Sequence, residues 1–278
     1  MTLKQITVSA AVLRSLFKPA PDSYKGQNGA LTIIGGSREY HGAPVFAVRA
    51  ANRFVDYVFF YSPFGYNCEL VRGLRKRVAE VMVVGRDRLD FAVYKSDCIL
   101  AGMGLRPDNQ TKAFIESLIR RYKDKKFVLD AGALRVVEPR KLGANVLVTP
   151  HAEEFRALFE CEATPENAAR CARKFGCVIL LKGRFDYVAD GKRLAVNRTG
   201  NAGMTKGGTG DVLAGLAAAL ACKNDLFTAA CAAAFVNGVA GDLLFKRQGF
   251  NYNASDLIEA LPEAFAKAQR AARGRRAH

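Results

Sequence analysis

Residues 197–215 read Asn-Arg-Thr-Gly-Asn-Ala-Gly-Met-Thr-Lys-Gly-Gly-Thr-Gly-Asp-Val-Leu-Ala-Gly, six glycines running into an Ala/Leu-rich helix. Glycine lets backbone N–H groups come close to a ligand, and a helix N-terminus adds unpaired donors at the positive end of its dipole. Gly207, Gly208, Thr209 and Gly210 are therefore expected to cradle an anion, and a phosphate suits them best. Asp211 falls in the first turn of the same helix. A carboxylate there can cap the helix. Beside a bound phosphate it is also placed to take a proton from a hydroxyl. A cap accounts for the aspartate and leaves the glycines unexplained, so the phosphate site is the preferred reading.

The elements that must position this loop follow from the apolar pattern. Short apolar runs at Leu31–Ile34, Tyr57–Tyr61, Val81–Val84, Cys98–Ala101, Phe127–Leu129, Val146–Val148 and Val178–Leu181 alternate with segments long enough for helices. Helices are expected at 43–54, 109–123, 152–159, 165–175, 210–222, 226–246 and 255–272, with Pro165 opening the fourth. This rhythm predicts an α/β fold with a mostly parallel sheet covered on both faces, binding ligands at the carboxyl ends of its strands. Tyr187–Ala189 and Leu194–Val196, joined through Asp190-Gly191, read as an antiparallel hairpin.

Composition narrows the class. The 278 residues are 50% hydrophobic and 24% charged, which fits a globular protein with a sizeable core, and no low-complexity linker divides them. One domain over 1–278 is expected, with a basic, disordered tail from about 271 to 278. No apolar run is read as a membrane span, and the N-terminus has no signal-peptide pattern. Seven cysteines without a Cys-x-x-Cys pair fit reduced thiols in a cytoplasmic protein, and three histidines are too few for a His-based zinc site. The formal charge of +16 invites a nucleic-acid partner. Its charges, however, are spread over many helix faces, including Arg72, Arg75, Lys76 and Arg77, with no aromatic-basic motif beside them, so no nucleic acid and no membrane partner is expected.

Further candidates sit directly after predicted strands: Gly35-Gly36-Ser37 after the first, Gly102-Met103-Gly104 after the fourth, Asp130 after the fifth, Thr149-Pro150-His151 after the sixth and Lys182-Gly183 after the seventh. Singly, each could be a turn, a cap or a buried histidine. Together with Gly42-Ala43-Pro44, Ala152-Glu153-Glu154 and the 201–213 stretch, their order resembles the nucleotide-dependent NAD(P)H-hydrate dehydratases of the ribokinase-like superfamily over about residues 20–265.

The resemblance implies repair of hydrated NADH or NADPH at the expense of a nucleotide, ADP in the bacterial and archaeal members that this chain resembles. Asp211 would be the base. Lys182, Gly183, Arg184, Phe185, Asp186 and Gly210 match the nucleotide-binding segment, with Gly207, Gly208 and Thr209 completing the cradle. Ala43, Gly104, His151 and Asp211 match positions contacting the hydrated dinucleotide, and Glu154 matches an acidic position that organises Mg²⁺ through water. Lys206 stands where the family carries a smaller neutral residue, and Ala101-Gly102-Met103-Gly104-Leu105 replaces its usual Gly-Pro-Gly-Leu-Gly. The resemblance also implies a homo-oligomer, tetramers being common, and a stand-alone dehydratase without the epimerase domain fused in many members. The same cradle and Asp211 would serve the alternative, a small-molecule kinase of that superfamily acting on a thiazole, pyrimidine or sugar alcohol.

Overall fold

A computed structural model describes residues 5–73 and 79–274. Ten strands form one sheet: β1 (Gln5–Thr7), β2 (Ala30–Ile34), β3 (Tyr57–Tyr61), β4 (Val81–Val83), β5 (Cys98–Ala101), β6 (Lys126–Leu129), β7 (Val146–Val148), β8 (Val178–Leu181), β9 (Asp186–Ala189) and β10 (Leu194–Asn197). Their spatial order is β1-β10-β9-β8-β7-β6-β5-β2-β3-β4. Only β9 runs against the others, pairing antiparallel with β8 and β10, as the Asp190-Gly191 hairpin predicts. The chain order reverses between β2 and β5, which pair in parallel, so the loops after these two strands flank a crevice.

Strand residues alternate between two cores. Leu31, Ile33, Leu100, Val128, Leu147 and Leu180 face one layer; Ile34, Ile99, Phe127, Leu129, Val148 and Ile179 face the other. Burial of both faces makes such strands continuous apolar runs. The first layer is closed by α1 (Gly42–Ala51), α2 (Gly65–Gly73), α7 (Thr209–Ala221), α8 (Leu226–Gln248) and α9 (Ala254–Gly274). The second is closed by α3 (Leu89–Lys95), α4 (Asn109–Arg121), α5 (Ala152–Phe159) and α6 (Pro165–Phe175). Local chemistry sets several helix starts: Asp108 and Thr164 accept hydrogen bonds from the N–H groups of Thr111 and Asn167, and Pro165 takes the first position of α6.

Four expectations change. β1, whose three residues are exposed, has no apolar signature and becomes a strand by pairing with β10, so the loops counted after the first to seventh strands follow the second to eighth. Helices α2 and α3 were unforeseen, α2 being short and polar and α3 only seven residues long. The apolar helix Leu226–Gln248 does reach membrane-spanning length, but 72% of its most apolar stretch is buried inside the fold, against α7, α9 and the sheet. Finally, α9 continues through Gly274, past the point where disorder was expected: Ala272 is buried, and its carbonyl accepts a hydrogen bond from Arg14. Residues 275–278, like Arg75, Lys76 and Arg77, lie outside the described residues.

Candidate active site

The glycine loop opens α7 as its sequence predicts. Gly208 is the N-cap with φ +92°, and a Cβ there would lie 2.6 Å from the Phe46 ring, so only glycine fits without strain. Phe46 belongs to α1, which packs along α7, with Phe46 beside Gly208 and Ala47 beside Gly215. Among the described residues, no backbone acceptor takes the N–H groups of Gly208 and Gly210, which leaves them as donors for an anion at the positive end of the helix.

Thr209 does not share that role through its own polar groups. Its hydroxyl donates to the carbonyls of Met204 (2.6 Å) and Lys206 (2.8 Å), and its N–H donates to Lys206 as well. Thr209 therefore shapes the loop. Lys206 neither faces the cradle nor extends freely into solvent: its ammonium donates to the carbonyls of Phe250 and of Tyr252, the latter at 2.6 Å, tying the loop to the segment between α8 and α9. The preceding turn is anchored similarly. Asn201 donates to Asp242 and accepts from the Tyr252 hydroxyl at 2.6 Å, while the Gly200 N–H donates to Asp242.

Beside Asp211 the strand ends bring together groups far apart in the chain. Lys182, just past β8, donates to Asp130 Oδ1 at 2.8 Å and lies 3.9 Å from Glu154 Oε2. The Thr149 hydroxyl donates to the same Asp130 oxygen at 2.8 Å. Burial opposes the Lys182 charge, but the Asp130 and Glu154 carboxylates outweigh it and hold the ammonium above its ordinary range. A Cβ on Gly210 would sit 3.6 Å from Lys182 Nζ, so the ammonium reaches the mouth of the cradle. Asp211 is pushed up to about 7, first by burial and next by the Asp130 charge, with Lys182 pulling the other way. A carboxylate poised near neutrality is suited to exchanging a proton with a hydroxyl.

His151 and Glu154 meet at the start of α5 in a reciprocal cap. His151 Nδ1 accepts from the N–H groups of Glu153 and Glu154, Glu154 Oε2 accepts from the His151 N–H at 3.0 Å, and Glu154 Oε1 lies 3.5 Å from His151 Nε2. Among the described residues, no three His, Cys, Asp or Glu side chains are grouped to hold a metal ion by themselves. Across the crevice, Gly36 N–H donates to the Met103 carbonyl at 2.8 Å, and Gly104, at φ +68°, packs against the Tyr40 carbonyl. The loops after β2 and β5 are thus pinned together at the switch point.

A cavity of about 360 Å³ adjoins the cradle, walled in part by Lys182–Arg184, Asp186, Thr209 and Gly210. Asp186 braces this wall, its carboxylate accepting from the Gly183 N–H and from Asn197 Nδ2. Phe185 lies beneath two guanidinium groups, those of Arg184 and Arg198 at 5.2 and 4.8 Å. Of the predicted nucleotide segment and cradle, Lys182, Gly183, Arg184, Asp186, Thr209 and Gly210 share this cavity, whereas Phe185, Gly207 and Gly208 are not in its wall; Glu154 and His151 are linked to it through Lys182. The structure adds Thr199, Asn201, Leu213 and Asn237, which sequence reasoning did not place in the site. Asn237 carried a signal: it is a lone amide inside the Ala-rich, apolar helix α8.

A model of the NAD(P)H-hydrate dehydratase family matches residues 31–263. The bifunctional NAD(P)H-hydrate repair enzyme of Methanocaldococcus jannaschii is 40% identical over 258 residues, 90% of this chain and 50% of that enzyme. The ADP-dependent (S)-NAD(P)H-hydrate dehydratase of Cenarchaeum symbiosum is 36% identical over 268 residues, 87% of this chain and 90% of that enzyme. The chain thus spans about half the length of the bifunctional relatives it matches. In three dimensions, a ribokinase-like superfamily protein from Enterococcus faecalis superposes with a TM-score of 0.85 at 26% identity, over 95% of this chain and 97% of that one.

Proposed function

The chain belongs to the NAD(P)H-hydrate dehydratase family, and on that premise we propose that it is an ADP-dependent (S)-NAD(P)H-hydrate dehydratase, returning hydrated NADH or NADPH to the intact dihydronicotinamide with release of AMP and phosphate. The observation that carries this reading is Asp211: a carboxylate pushed up to about 7, in the first turn of a helix whose leading N–H groups have no backbone acceptor among the described residues, next in sequence to Gly210 in the wall of a cavity of about 360 Å³.

In this reading the ADP phosphates lie on the Gly208 and Gly210 N–H groups, and the Lys182 ammonium offsets their charge. Asp211 takes the proton of the 6-hydroxyl on the hydrated ring. The hydroxyl oxygen then attacks the terminal phosphorus, and the P–O bond to AMP breaks. Loss of the phosphate from ring carbon 6, with a proton from carbon 5, restores the ring double bond. Ala43, Gly104 and His151 line the approach for the dinucleotide. Mg²⁺, when bound, would neutralise the transferring phosphate. Glu154 and Asp130 suit it as water-bridged carboxylates, since Mg²⁺ retains water and takes few protein oxygens. Reduced cysteines support a cytoplasmic setting, and exposed Tyr24, Phe91 and Tyr94 support a homo-oligomer.

The test is incubation of the protein with enzymatically hydrated NADH, Mg²⁺ and ADP, following dihydronicotinamide absorbance and free phosphate together. Recovery of absorbance with stoichiometric phosphate is expected. Phosphate retained on an alcohol product would instead identify a kinase of the same superfamily, and folded protein that restores nothing would overturn the proposal.

A further inference from the structure

The cavity beside the cradle contains one polar group whose need is unmet. Asn237, in the middle of α8, forms part of its wall, is only 4% exposed, and has a buried Oδ1 without any hydrogen-bond partner. An unpaired buried acceptor is costly and calls for a partner; Asn28 and Asn67 carry one too, but of the three only Asn237 belongs to the wall of this cavity, where a ligand donor can supply it.

Apart from Arg184, whose guanidinium lies over the Phe185 ring, the other polar side chains in that wall are already committed. Asp186 accepts from Gly183 and Asn197; the Thr199 hydroxyl donates to Asn197 and to the Phe235 carbonyl; Asn201 is held by Asp242, Gly203 and Tyr252. The hydroxyls of Thr205 and Thr209 donate to backbone carbonyls of their own loop. Lys182 is engaged by Asp130. Asn237 is left as the uncharged side chain free to read a ligand. Its surroundings also fit a flat, apolar ring. Leu213 lies one turn into α7 beyond the phosphate-facing Gly210, and Met204 lines the same cavity.

We propose that Asn237 is a specificity-determining residue that selects a 6-aminopurine nucleotide by pairing with the edge of its base. This rests on the nucleotide-dependent reading above. An asparagine amide is both acceptor and donor, and adenine offers the matching pair along one edge: the 6-amino group donates to Oδ1 while N7 accepts from Nδ2. A 6-oxopurine presents two acceptors along that edge and cannot satisfy both halves of the amide.

The test is equilibrium binding of ADP, inosine diphosphate and 7-deaza-ADP to the intact protein by calorimetry, without turnover. The wild-type protein is expected to bind ADP at least about tenfold more tightly than either analogue, in line with the discrimination a bidentate pair provides. Asn237→Leu, similar in volume and without the amide, is expected to weaken ADP binding and to bring all three ligands within about threefold of one another. If Asn237→Leu fails to fold, Asn237→Ser carries the same expectation, and the 7-deaza-ADP comparison needs no variant. Equal wild-type affinity for ADP and 7-deaza-ADP, or a folded variant that keeps the full preference, overturns the role of Asn237 while leaving ADP-dependent dehydration standing. Absence of ADP binding to wild type overturns both.

Discussion

Lys182 Nζ lies 2.8 Å from Asp130 Oδ1, joining the ends of β8 and β6 across 52 residues of sequence. The pair gives the site its electrostatic balance. Without Asp130, Lys182 would be a buried, poorly compensated cation; without Lys182, Asp130 and Glu154 would press on Asp211 unopposed. Asp211 is thereby held near neutrality, neither permanently ionised nor permanently protonated.

Replacing the proposed base separates catalysis from stability. Asp211→Asn is expected to lower turnover by roughly 10²-fold or more, because the amide cannot accept the hydroxyl proton. The same change should raise thermal stability at pH 8. Between pH values near 3.8 and 7 the folded chain keeps a proton on Asp211 that the unfolded chain has released, so folding becomes less favourable as pH rises, and the penalty is complete above 7. A gain in Tm of about 2–6 °C at pH 8 that disappears near pH 4 is the expected calorimetric result.

The pH dependence of turnover tests the charge balance. Turnover should rise with pH to a plateau, with a midpoint near 7. Asp130→Asn removes a negative neighbour and should move the midpoint to lower pH; Lys182→Met removes the opposing positive charge and should move it higher. A midpoint that stays fixed in both variants would detach the rate from Asp211.

Two glycines of the same loop, Gly208 and Gly210, should fail in different ways. At Gly210 an added Cβ meets only Lys182 Nζ, at 3.6 Å, so Gly210→Ala should fold normally and weaken ADP binding by crowding the phosphate. At Gly208 the backbone has φ +92° and the Phe46 ring is in the way, so Gly208→Ala should cost on the order of 1–3 kcal/mol of stability in denaturant unfolding.

Lys206 should behave as a tether. Lys206→Met frees the loop from Phe250 and Tyr252, so nucleotide affinity should fall modestly, by about threefold to tenfold, and alike for AMP and ADP. A phosphate ligand would instead lose ADP selectively, and the ratio of the two dissociation constants reports which holds.

Much of the architecture was legible from residue order because the signals are local. Strands buried on both faces must be continuous apolar runs, Pro165 directly after Thr164 marks a helix start, and a glycine-rich turn running into Asp211 and an Ala/Leu helix reads as an anion site with an acid-base group without any long-range information. What the sequence left open are relationships between distant residues. β1 is a strand only because β10 offers its edge; Lys206 spends its charge on carbonyls 44 and 46 positions away; Thr209 turns its hydroxyl into its own loop. The pairing of Lys182 with Asp130 and the isolation of the Asn237 amide exist only once the sheet and α8 are assembled. The type and spacing of residues determine which chemistry is available, whereas burial and partner distance decide which group is charged, which is committed and which remains free for a ligand.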